Sequence, residues 1–154
     1  MYNGLLHLHN LMRWIILILL VINIINLIGS SNRSLTPKDK KLSLFLLISA
    51  HITLLIGLYQ YFLGPSGFTL IKEYGMGEVM KNAALRFWAV EHITGMIVAI
   101  GLITAGYSTV KKNLVTNTSS KKAAILFIVA LVIILAVVPW PFRAGIGRPL
   151  FPGM

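Results

Sequence analysis

Four long stretches of this chain are almost free of charge: Trp14 to Asn32, Leu42 to Ile71, Phe87 to Val110 with Glu91 as the one interruption, and Ala123 to Phe142. Each is near or above the ~20 residues a helix needs to cross the hydrocarbon of a bilayer. Of the 154 residues, 56% are hydrophobic and 12% are charged, against about 25% charged in an average soluble domain. A water-covered globule is excluded. The pattern predicts one all-α domain over residues 1–154, an integral membrane up-down four-helix bundle with spans at about 5–29, 41–63, 86–109 and 123–140.

The net charge of +10 would suggest nucleic acid in a soluble chain. Here the charges sit mostly between spans, where topology accounts for them and no nucleic-acid partner is expected. The first loop holds Arg33, Lys38, Lys40 and Lys41, and the third holds Lys111, Lys112, Lys121 and Lys122. The positive-inside bias puts both in the cytoplasm and both termini on the periplasmic side, N-out and C-out. That topology gathers Trp14, Tyr59, Tyr61, Trp88 and Trp140 in the outer leaflet as an aromatic belt. Arg13, Arg86, Arg143 and Arg148 fall on the same outer half, where the bias does not explain them. Residues 1–10 carry no Lys or Arg and the apolar run is too long for a signal peptide, so the first span is expected to be retained.

Helix ends are marked by Gly29, by the Ser34, Thr36, Pro37 group as a cap for the second helix, by Gly64-Pro65, and by Pro139-Trp140-Pro141. The segment from Ser66 to Arg86 reads as a long loop whose second half, Gly77 to Arg86, can start the third helix above the membrane. Small residues allow close helix packing in lipid. Ser43, Ala50, Gly57 and Gly64 mark one buried face at spacing seven, and Gly95–Ala99 and Gly101–Ala105 mark others at spacing four.

Ionisable groups at bilayer depth are costly, on the order of 2.5–3.5 kcal/mol on insertion scales, so they are where chemistry is expected. They are His9, Arg13, His51, Glu91 and His92. With no cysteine, thiolate iron–sulfur sites, Cys-based zinc sites and covalent haem attachment are excluded. Neutral imidazoles on facing helices remain, and two of them can ligate a haem iron. Small residues beside His51 and His92 favour that pair as metal ligands. At ~1.5 Å per residue, His51 lies about 18 Å inside the outer boundary, His92 about 9 Å and His9 about 6 Å. His9–His92 is therefore the better match in depth and stays open. Arg13, Arg86, Arg143 and Arg148 would meet the haem propionates, since arginine's fork suits a carboxylate. The plainer readings are a Glu91–Arg13 ion pair, Met96 as core filling, His7 solvated at the interface, and tryptophans as anchors.

At HLHNLMRW (7–14), KKLSLFLLISAH (40–51), RFWAVEH (86–92) and PWPFR (139–143) the chain resembles a family of small four-span membrane proteins of Bacteroidetes labelled cytochrome b-like. The likeness runs over all four spans. It implies a bacterial inner-membrane carrier of haem b, with His9, Arg13, His51, Glu91, His92 and Arg143 on the matching blocks. His7 is peripheral to the pattern, and the tail after Arg143 matches less closely. The function expected is one-electron transfer without substrate chemistry of its own, with quinone as a candidate partner. The alternative is a cofactor-free accessory subunit of a larger membrane complex or a homo-oligomer.

Overall fold

The computed structural model describes residues 2–116 and 120–151. They are helical throughout their ordered elements and contain no strand. Helix α1 spans Tyr2–Gly29, α2 Pro37–Leu63, α3 Phe68–Lys81, α4 Ala83–Arg86, α5 His92–Thr116 and α6 Lys121–Val137, with a π-helical turn at Phe87–Glu91 joining α4 to α5. Among the described residues three segments are long and apolar enough to cross a membrane: Tyr2–Gly29, Pro37–Leu63 and the continuous Ala83–Thr116. α6 has 17 residues. Large apolar side chains point outward on all four long helices, among them Ile25, Leu55, Val98 and Val132, which suits a lipid environment.

α1 packs on α2, α2 on α5, α5 on α6 and α6 on α1, leaving α1 and α5 diagonal. Neighbours run antiparallel: His9 near the start of α1 meets Gly57 near the end of α2, whereas Asn26 near the end of α1 meets Asp39 in the first turn of α2. The core between them is built from Leu20, Ile24, Leu46, Ala99, Ile103 and Phe127 with their neighbours. Gly106 lets the Phe127 ring lie against the α5 backbone.

Helix ends follow the local chemistry. Pro37 opens α2 after Thr36, whose N–H donates to Asp39 Oδ2 at 2.7 Å. α6 stops at Val137, two residues before Pro139, and Arg143 Nη1 donates to the freed carbonyls of Ala136 (3.0 Å) and Val138 (3.3 Å). The segment after Gly64 is not a plain loop. It forms α3, broken at Gly75, whose φ of 77° an L side chain adopts only with strain. Asn82 then caps the next helix, its Oδ1 accepting from Ala84 N and Leu85 N. The third loop shrinks, because α5 reaches Thr116 and α6 starts at Lys121; residues 117–119 lie outside the described residues.

The stripe on α2 is buried at Ser43 and Ala50 and closely packed at Gly57 and Gly64. On α5 only one of the two expected stripes faces inward. Ala99, Ile103, Gly106 and Val110 are buried, while Gly101 and Ala105 are exposed. At 100° per residue, Gly101 lies about 120° around the helix from Gly95, so the two pairs do not share a face.

Candidate functional site

A cavity of about 370 Å³ opens between the start of α1, the end of α2, the start of α5 and the segment after α6. Its deep walls are apolar, including Ile16, Leu54, Met96, Ile100 and Ile134. Its mouth is polar, with Tyr2, Asn10, Arg13, Gln60 and Arg148. An apolar body with a polar end is the shape of ligand such a wall fits.

His9 and His92 stand in this cavity with ring centroids 6.4 Å apart and planes at 69°. His92 follows directly on the π turn, where its N–H bonds back to Phe87 O. Its ring is flanked by Phe87 and Trp88, and its Nδ1 lies 2.7 Å from Val137 O at the end of α6. A carbonyl only accepts, so Nδ1 carries the proton and Nε2 keeps its lone pair. His9 lies against the Thr53–Gly57 backbone of α2; a Cβ at Gly57 would meet its Cε1 at 3.2 Å and its Nδ1 at 3.7 Å. Among the described residues, the buried Nδ1 of His9 has no hydrogen-bond partner.

A metal ion bonded to one nitrogen of each ring, at ~2 Å per bond, would hold the two centroids at most about 6 Å apart. Among the described residues no three His, Asp or Glu side chains converge to hold a bare metal ion. His9 and His92 are the residues that could hold a metal here, as part of a group that brings its remaining ligands. Haem b is such a group, and an apolar chamber with a cationic rim suits its macrocycle and its acid edge.

His51 is not brought to this site. It lies exposed on the outer side of α2, its Nδ1 2.9 Å from Leu47 O of its own helix, beside outward-facing Ile48, Ile52 and Leu55. The buried face of α2 runs through Ser43, Leu46, Ala50 and Thr53, and one residue beyond Ala50 is 100° off that line. The notch beside His92 is not free either, since Val137 fills it at Gly95.

The arginines divide. Arg13 and Arg148 line the cavity. Arg86 is taken by Glu91, Nε to Oε1 at 2.7 Å, and by Met80 O. Arg143 caps α6 and lies over the Phe87 ring, its Cζ 4.7 Å from the centroid. The expected Glu91–Arg13 pair is not formed. On an α-helix residues five apart are about 140° apart, but the wider π turn sets Glu91 beside Arg86 instead. Arg13 turns to the tail, where Nη2 donates to Leu150 O at 2.7 Å and to Pro149 O at 3.4 Å.

Asn10, Gln60, Pro149 and Phe151 belong to the site without having been singled out in the sequence, whereas Arg148 was expected there. Gln60 had a signal: it is a polar amide inside the uncharged run of α2. Pro149 and Phe151 had none, because the tail's place depends on contacts some 136 residues away in the chain, such as Trp14 Nε1 to Leu150 O at 2.7 Å.

No family model, curated protein or solved structure matches the chain.

Proposed function

We propose that the chain is a four-span protein of the bacterial inner membrane that holds haem b between His9 and His92 and passes single electrons. The membership suggested by the resemblance to cytochrome b-like proteins is part of this reading. α6 would be the fourth span, with the lysine loops cytoplasmic and both termini periplasmic. The observation that carries the reading is the imidazole pair, 6.4 Å between centroids in one amphipathic cavity. Bound haem b supplies an iron that takes up and releases one electron. The protein's part is to present two neutral imidazoles. Val137 O fixes the tautomer of His92 through Nδ1, the common arrangement for a metal-bound histidine. Gly57 gives the His9 ring its seat on α2, and Ile100 and Ile134 keep water from the deep wall.

The test is an absorption spectrum of detergent-purified protein after addition of haemin. The wild type and His51→Ala are expected to show a Soret band and a sharp reduced α band, and His9→Ala and His92→Ala to lose the six-coordinate spectrum. No Soret band in the wild type, or one unchanged in both ligand variants, overturns the reading.

A second reading, an accessory subunit in a larger membrane assembly, is favoured by the outward ring of His51 and the exposed Gly101 and Ala105, which a partner helix would cover. Solubilisation in mild detergent followed by native mass measurement decides it: a monomer argues against it.

A further inference from the structure

We infer that the Arg13–Gln60 end of the cavity is a carboxylate-binding subsite, selecting an amphiphile that carries an acid group at the edge of an apolar body. Four buried side-chain polar atoms lack a hydrogen-bond partner among the described residues: His9 Nδ1, Asn10 Oδ1, Arg13 Nε and Gln60 Nε2. All four belong to residues that line the one cavity. Buried polar groups are nearly always paired, so orphaned donors on residues of one cavity lining point to a missing partner. Two of them, Arg13 Nε and Gln60 Nε2, can only donate, so the partner must bring acceptor oxygen.

Charge narrows the class. Arg13 spends Nη2 on neutral carbonyls of the tail and, among the described residues, pairs with no carboxylate. The chain has four acidic residues. Asp39 is held by Arg33, Glu78 by Lys81 and Glu91 by Arg86, and Glu73 is exposed on α3, away from the cavity lining. Among the described residues no carboxylate pairs with this cation. Arg148, at the same mouth with its Cζ 4.9 Å from the centroid of the Trp88 ring, adds a second positive charge. A guanidinium recognises a carboxylate through charge and paired donors together. Ile100 and Ile134 at the deep wall ask for an apolar body behind that carboxylate.

For haem b the acid group is a propionate, and in that form the subsite rests on the haem reading. The carboxylate itself could equally belong to a fatty acid. The experiment titrates haemin, haemin dimethyl ester, oleate and methyl oleate into the purified full-length protein and follows tryptophan fluorescence, which needs no axial ligation. The acid forms are expected to bind at least about tenfold tighter than their esters, the effect of one charge-assisted hydrogen bond. Arg13→Gln and Gln60→Met are each expected to shrink that preference, while Arg86→Ala and Arg143→Ala keep it. Two variants on different helices guard against one failing to fold. If haemin and its ester bind equally to the wild type, the subsite is overturned and the haem reading stands. If oleate alone binds, dependent on Arg13, the subsite stands and the haem reading falls. If neither acid binds, both fall.

Discussion

Val137 holds His92 from two directions. Its carbonyl oxygen lies 2.7 Å from His92 Nδ1, and its side chain fills the notch at Gly95, one turn further along α5. The end of α6 is thereby locked against the histidine that faces the cavity, so packing at Gly95 and orientation of the His92 ring are coupled.

Gly95→Ala tests the coupling. An added Cβ would meet Val137 Cγ1 at 2.5 Å, and overpacking of this kind costs about 1–3 kcal/mol. Thermal unfolding in detergent should show the loss. Adding Val137→Ala should recover part of it, a non-additive result expected of two groups in direct contact.

Gly57→Ala should separate stability from site geometry. Its Cβ would lie 3.2 Å from His9 Cε1, so the ring must give by a few tenths of an ångström. Alanine gains up to about 1 kcal/mol of helix propensity, so the melting temperature should hardly move. The imidazole resonances of His9 should shift, and those of His51 should not.

At the opposite end, Asp39→Ala should be the most damaging polar substitution. This carboxylate is 4% exposed and accepts from Arg33, Asn26 Nδ2, Thr36 N and Thr36 Oγ1, tying α1, the first loop and α2 together. Its removal should cost about 1–3 kcal/mol in unfolding experiments. Arg33→Ala should cost less, since water can replace a guanidinium that is 45% exposed.

Trp14→Phe should loosen the tail without disturbing the helices. It keeps a ring to stack on Phe151 but removes the Nε1–H that donates to Leu150 O. Loss of about 1 kcal/mol there should speed amide exchange at Leu150 and Phe151 several-fold, with helical circular dichroism unchanged.

Several elements were legible in advance because their causes are local. The apolar runs, the cap before Pro37 and the stop at Pro139-Trp140-Pro141 correspond to helix ends found at Pro37, Leu63 and Val137. The small stripe of α2 is packed inward at Ser43 and Ala50. His9, Arg13 and His92 stood out as costly polar groups in apolar surroundings, and the structure sets all three around one cavity. The pairing preferred from spacing, His51 with His92, went astray because the small residues beside them serve other packing: Ala50 is buried one position from an outward His51, and Gly95 receives Val137. Glu91 is expected to meet Arg13 because an unpaired buried charge is costly, but the π turn sets it beside Arg86, which pairs with it first.

The order of residues alone decides that this chain is helical, apolar and long enough in its segments to cross a membrane, since hydropathy and caps act over a few neighbours. Which nitrogen meets which carbonyl is another matter. One residue of rotation turns a side chain by 100°, so whether an imidazole faces the cavity, as His9 and His92 do, or the surroundings, as His51 does, is settled only when four helices press their small and large residues together.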